Sequence, residues 1–244
     1  MNYIKILIEF FGKEKIFLSN RKRLIVFLGS FADFDSFEYC QQLSAKSKLL
    51  DKNSVDLIVI GIGNQKSKDY FCDFNKIDIK NVFSITNDDL HNQLNFNSGL
   101  ALPLPAILNL LIMCTGVSSR GTIKEVIRGY LGDRKANRIF SSDEIIKIGT
   151  IPLFKGKMFD VFSKNNVLRP FELATRRLIN MIEILSHWNI YVPDSSFLTQ
   201  RGATILINEK GQILYKFIPE SLLGYSLKMS SPLSFLDDFL IDSI

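Results

Sequence analysis

Apolar residues come in short bursts along the first hundred positions, and polar turns separate them. Residues 24–28 (LIVFL) form one β-prone burst that stops at Gly29-Ser30. An acidic turn with Asp33 and Asp35 follows. Phe37, Tyr39, Cys40, Leu43, Leu49 and Leu50 then recur largely at three- and four-residue steps. That spacing predicts a helix over 36–50, capped at Asp35-Ser36. Residues 55–60 (VDLIVI) read as a second strand, short, β-branched and bounded by turn residues. A helix over 67–76 presents Tyr70, Phe71 and Phe74 on one face. Residues 82–85 supply a third strand, and Asn87-Asp88 cap a helix over 89–94 that residues 95–99 break. The order is β-α-β-α-β-α. It implies a mainly parallel sheet with helices on both faces.

Past residue 99 the pattern changes. Residues 100–117 are apolar and uncharged, but Pro103 and Pro105 sit in their first third. The segment barely reaches spanning length and carries two helix breakers, so a buried or lid helix over 106–115 is expected and membrane contact is not. A helix is predicted over 122–130, turns at 132–134 and 141–144, and β-like structure over 145–160 despite Pro152 and Gly156. Residues 169–188 read as a strong helix, with Pro170 in its first turn and Glu172 near the positive end of its dipole. Its predicted inward face is Leu173, Leu178, Met181, Ile182 and Leu185. Residues 203–217 are the clearest hairpin, two β-rich runs flanking Asn208-Glu209-Lys210-Gly211. A short closing helix is expected over 233–240. In residues 1–18, Lys5, Glu9, Lys13 and Glu14 interrupt the apolar positions, which is not the order of a secretory signal. That segment is expected to be part of the mature protein, as a first strand or an amphipathic helix.

Composition narrows the classes. The chain has 244 residues, enough for one domain with a large insertion. Phe is abundant at 20 and Trp occurs once, so the core is expected to be rich in Phe, Leu and Ile. The net charge of +5 is not gathered into a basic stripe with interleaved aromatics, and no nucleic-acid partner is expected. Cys40, Cys72 and Cys114 are odd in number and form no C-x-x-C pair. This argues against a disulfide scaffold and a zinc knuckle, and fits a reducing compartment. His91 and His187 share no ligand-like spacing, so neither a metal nor another cofactor is expected.

Three places invite chemistry. Cys40 lies on the helix after the first strand, and a thiol near a helix N-terminus becomes acidic and reactive. It sits beyond the first turn, however, beside Asp35 and Glu38, which favours a core-facing structural cysteine. Gly61-Ile62-Gly63 begins a dinucleotide fingerprint, but Lys66 stands at the third glycine and Thr86 follows the next strand where an acid belongs. A plain strand-to-helix turn is expected. Arg201 directly precedes the hairpin, where a guanidinium can point at an anionic or peroxide oxygen or lie on the surface.

Three βα units, an excursion, a hairpin and a last helix resemble the layout of a thioredoxin fold. Residues 31–40, FADFDSFEYC, resemble the GDFDSFEYA-like segment of a cyanobacterial and plastid side group of the peroxiredoxins. These belong to the alkyl hydroperoxide reductase/thiol-specific antioxidant (AhpC/TSA) superfamily. The likeness extends through 109–133 (NLLIMCTGVSSRGTIKEVIRGYLGD), 169–188 (RPFELATRRLINMIEILSHW) and 201–217 (RGATILINEKGQILYKF), covering most of the chain from about residue 24.

The resemblance implies an α/β, thioredoxin-like single domain. Its central sheet and flanking helices would occupy about 21–99 and 197–244, with a large, mostly helical insertion over about 100–196 before the final hairpin. It also implies a thiol-dependent antioxidant role, with a thiol reductant and a peroxide as partners. Cys40 would attack the peroxide, Cys72 or Cys114 would resolve the sulfenic acid, and Arg201 would stabilise the thiolate. The first turn departs from the family pattern. Phe31, Asp35 and Glu38 stand at the positions of its Pro, Thr or Ser, and Cys. Cys40 lies two residues on, about 200° round a helix. The second expectation is therefore a non-catalytic scaffold that binds a protein partner or a membrane surface through 100–196. A third is a nucleotide- or cofactor-binding protein using Gly61 and Gly63. The expected location is the cytoplasm, or the plastid stroma for a plastid-encoded chain.

Overall fold

The computed structural model describes residues 3–12, 21–163 and 165–240. Its strands are β1 (Lys22–Phe27), β2 (Val55–Ile62), β3 (Val82–Ile85), β4 (Asp133–Asn137), β5 (Ile145–Ile148), β6 (Ile151–Lys155), β7 (Val167–Leu168), β8 (Ala203–Ile207) and β9 (Ile213–Phe217). Its helices are α1 (Tyr3–Phe11), α2 (Phe34–Ala45), α3 (Ser47–Lys52), α4 (Gln65–Asn75), α5 (Asp89–Gln93), α6 (Ala106–Cys114), α7 (Thr122–Leu131), α8 (Glu172–Ser186) and α9 (Trp188–Tyr191).

Side chains alternate across a strand, and β1 is apolar on both faces. Leu24 and Val26 enter one core, Ile25 and Phe27 the other. A strand buried on both sides belongs in the middle of a sheet. The sheet order is β3-β2-β1-β8-β9, with β1 parallel to β2, β2 parallel to β3, and the hairpin β8–β9 antiparallel to β1. Leu24 pairs with Leu57 on one side and Leu206 on the other. This is the thioredoxin-like arrangement of a mixed sheet between helices. One core takes Phe37, Tyr39, Cys40 and Leu43 from α2 and Phe71 from α4. The other takes Tyr3 and Leu7 from α1 and Leu90 from α5. The amphipathic helix expected near the start is thus present over 3–11, and residues 13–18 of that segment lie outside the described residues.

Several boundaries move. The helix expected over 36–50 starts at Phe34, is capped by Asp33 and breaks at Lys46 into α2 and α3. Asp133 opens a strand instead of completing a turn, because β4 pairs with β7. The closing helix over 233–240 shortens to one 3₁₀ turn at Ser234–Leu236. The β-like stretch over 145–160 is the hairpin β5–β6 followed by a 3₁₀ turn. Among its described residues the segment 100–196 therefore holds four α-helices and two small sheets.

The largest correction concerns α8. Leu178, Met181 and Leu185, expected inside, are exposed, while Arg177, Asn180 and Ile184 join Leu173 in the buried face. The helix docks on α2 through polar groups. Arg177 Nε donates to Glu38 Oε2 at 2.9 Å, and Gln41 Nε2 donates to Asn180 Oδ1 at 3.0 Å. Periodicity cannot see this, since it scores an arginine as outward.

A second buried pair knots this segment. Arg169 and Glu172 are both 0 % exposed. Arg169 Nη2 lies 2.8 Å from Glu172 Oε1 and donates to the Phe140 carbonyl at 2.6 Å. Glu172 Oε1 also accepts the backbone N–H groups of Ile139 and Phe140 at 2.8 and 2.7 Å. Breaking such a pair leaves one charge buried alone. Arg169→Met is expected to lower stability by about 3–5 kcal/mol in denaturant unfolding, with much of the loss recovered in the Arg169→Met/Glu172→Met double variant. Equal stability of native chain and single variant would refute the role of the pair.

Candidate functional site

The site forms where β1 ends beside the start of β8. The two chains touch so closely that both positions need glycine. A Cβ on Gly29 would lie 1.9 Å from the Gln200 carbonyl oxygen, and one on Gly202 would lie 1.8 Å from that of Phe27. This contact carries Arg201 to the turn after β1. Arg201 is buried; its Nε donates to the Thr199 carbonyl at 3.0 Å, and Nη1 stands 3.7 Å from Asp33 Oδ2. Asp33 in turn caps α2, accepting from Ser36 Oγ at 2.9 Å. Arg201 thus faces the first turn, but the group it meets there is a carboxylate.

Position 38, where the resemblance places the family cysteine, holds a buried glutamate. Glu38 Oε1 accepts from Tyr225 Oη at 2.6 Å and Oε2 from Arg177 Nε at 2.9 Å. Burial, with the carboxylates Glu38 and Asp35 close by, raises the Tyr225 hydroxyl well above its usual range, so it stays a donor. The Tyr225 ring stacks on Tyr39 at 4.5 Å between centroids, and Thr204 Oγ1 donates to Tyr39 Oη at 3.2 Å. Arg177 reaches on to the Glu125 carbonyl oxygen at 2.9 Å. Glu125 Oε2 takes Arg128 Nε at 2.7 Å, and Arg128 lies 3.6 Å from Asp133. A chain of alternating charges therefore runs from α2 through α8 and α7 to β4.

Asp35 is the unusual member. It is buried, one of its oxygens (Oδ1) has no hydrogen-bond partner, and its carboxyl is held well above the ordinary 3.8. Burial is the main cause; Asp33 and Glu38 add to it, and Arg177 and Arg201 only partly oppose it. Asp35, Asp33, Tyr39, Arg201, Thr204 and Tyr225 line a cavity of about 30 Å³. That is the room of about one or two water molecules.

The cysteines lie elsewhere. Cys40 is 0 % exposed and packs in the core with Phe37 and Phe71, not against Arg201. Burial pushes its thiol up, and Cys72 and Asp33 push the same way. Cys72 is also buried, and burial raises its thiol to about 11 against the pull of Lys68. Cys114, at the end of α6, is half-buried; burial raises it and Arg201 pulls it down. Gly61 and Gly63 make room for a ring: a Cβ on either would approach Phe31 to 2.7 Å. The turn after them caps α4 through Asn64 and Ser67 in a reciprocal box. The residues that sequence reasoning missed are Arg177, Tyr225, Glu125 and Arg128. Only Glu125–Arg128 left a trace in the sequence, as an i,i+3 pair of opposite charge on one helix. Among the described residues no cluster suits a metal ion, and no helix is long and apolar enough to cross a membrane.

Comparison with known proteins gives one match. The family model described as AhpC/TSA antioxidant enzyme matches residues 42–221, about three quarters of the chain. The match includes Arg201, Arg177 and two of the cysteines, and begins just past Glu38 and Cys40. No curated protein and no solved structure matches.

A raised carboxyl in the folded state has a definite pH signature. Below the ordinary 3.8 both states hold the proton, and Asp35 contributes no pH dependence. Above it the unfolded chain releases the proton and the folded chain keeps it, so stability falls as pH rises towards the folded-state value. Asp35→Asn should remove that slope. Its stability relative to the native chain should grow by about 1.4 kcal/mol per pH unit above that point. Denaturant unfolding from pH 4 to 7 measures it, and a difference independent of pH counts against the assignment.

Proposed function

We propose a function from one premise: the chain belongs to the AhpC/TSA antioxidant enzyme family, a peroxiredoxin-like group on the thioredoxin fold. In our reading it is a binding protein on that scaffold and not a first-turn peroxidase. The observation that carries this is Glu38, buried between Arg177 and Tyr225 at the position of the family thiol. A peroxidatic thiolate needs a site that stabilises one negative charge and admits peroxide. Here a carboxylate already uses the cation, Asp33 faces Arg201, and the remaining cavity of about 30 Å³ leaves little room for a substrate. Cys40 lies in the core with a raised thiol pKa, far from a reactive form.

The binding surface in this reading is the segment 100–196, and its partner is a protein. Leu178, Met181 and Leu185 on α8 and Ile123, Ile127 and Tyr130 on α7 are exposed. The two helices border an apolar cleft of about 440 Å³. Exposed apolar area of this kind marks interaction sites.

A second reading keeps thiol chemistry. It rests on Cys114, half-buried and bordering the same cleft, where burial raises the thiol and Arg201 opposes that rise only in part. Its sulfur would attack one peroxide oxygen and become a sulfenic acid while the other oxygen leaves as water or an alcohol; a thiol reductant would restore it. Peroxide consumption in the presence of dithiothreitol separates the two. The native chain and the Cys40→Ser/Cys72→Ser/Cys114→Ser variant are expected to consume peroxide equally. Loss of activity in Cys114→Ser alone establishes the second reading, and loss in Cys40→Ser overturns both.

A further inference from the structure

A second cleft, of about 510 Å³, lies between α2, β4, α8 and the run 229–233. Its walls carry Lys46, Arg128, Arg138 and Arg176, and among the described residues that line it the one carboxylate is Glu38. Both oxygens of Glu38 are taken by Arg177 and Tyr225, so it offers little to a cation. The arginines are less well matched. Arg176 is half-buried with its guanidinium 4.5 Å over the Phe140 ring, and no described carboxylate lies within salt-bridge distance. Burial lowers its pKa against the more distant Glu144, Glu38 and Glu172, the mark of a cation short of a counter-charge. Arg138 makes one long contact, from Nη1 to Ser142 Oγ at 3.5 Å, and feels the Asp160 carboxylate, whose own ion pair is with Arg169. Arg128 is paired with Glu125 through Nε and with Asp133 through Nη1, and its Nη2 is buried without a hydrogen-bond partner. Ile139, Leu173 and Leu233 give the cleft an apolar wall.

We infer that this cleft binds a small phosphorylated organic molecule, with the phosphate on Arg176 and Arg138 and its apolar body against Ile139 and Leu173. Guanidinium forks match phosphate oxygens. A phosphate brings close to two negative charges and three acceptor oxygens, which suits several cations around one lobe better than a single carboxylate does. The volume falls in the range of small-molecule sites and exceeds the needs of inorganic phosphate. The ligand would bridge the sheet domain and the segment 100–196, apart from the thiols.

Isothermal titration of phenyl phosphate into the full chain tests the site. Saturable binding is expected, weakened about tenfold in Arg176→Gln and in Arg138→Gln, since each loses a charge-assisted contact. Each variant is first compared with the native chain in thermal unfolding; if Arg176→Gln unfolds early because it leaves Phe140, Arg138→Gln carries the comparison. Benzoate, the carboxylate counterpart, should bind more weakly. No saturable heat at millimolar phenyl phosphate overturns the inference, as does equal affinity in native chain and folded variants. Equal affinity for benzoate overturns the choice of phosphate.

Discussion

A carboxylate inside a protein must be met by a cation and by hydrogen-bond donors, or its burial costs several kcal/mol. Glu38 imposes that constraint on this molecule. It sits on the first helix after the central strand, and its partners come from far along the chain, Arg177 from α8 and Tyr225 from the C-terminal run. Satisfying Glu38 fixes where the segment 100–196 docks and which face α8 turns inward. Once Arg177 points at Glu38, Asn180 meets Gln41, and Leu178, Met181 and Leu185 must face away. The apolar outer face of α8 is thus a consequence of the polar inner one.

The same constraint governs the chemistry. The thioredoxin-like scaffold of an AhpC/TSA protein presents the end of its first strand, a helix N-terminus and a late arginine to one point. In this chain all three arrive, but what they hold is Asp33, Asp35 and Glu38. Arg201 and Arg177 face two of the carboxylates, and burial holds the third, Asp35, well above its ordinary pKa. A cation already engaged by a carboxylate cannot also stabilise a thiolate. In the proposed reading, the site that resembles a catalytic one is a structural clamp between α2 and the segment 100–196. Its outer side opens on a cleft where positive charge is in excess.

Much of the fold is legible in the chain itself. The unbroken apolar run 24–28 and the β-rich runs 55–60 and 203–217 announce a sheet buried on both faces, because short continuous apolar runs and β-branched residues are local properties. Gly29 marks the end of the first strand in the sequence, but only the fold shows that it and Gly202 sit where two strands touch. The resemblance of 109–133 and 169–188 named the family that the match over 42–221 established. Boundaries at Lys46 and Asp133 were not legible. A helix break or a strand start there depends on what packs or pairs alongside.

On the resemblance alone, the sequence puts Phe31, Asp35 and Glu38 where the family has its Pro, Thr or Ser, and Cys, with Cys40 two residues on. It could not say what meets them there. Nothing local distinguishes Arg177 from its neighbour Arg176. One is buried on Glu38, and the other stacks on Phe140 at the edge of the cationic cleft. Tertiary structure decided that difference, because an ion pair joins residues 38 and 177 across a fold whose sheet, not whose local sequence, brings them together.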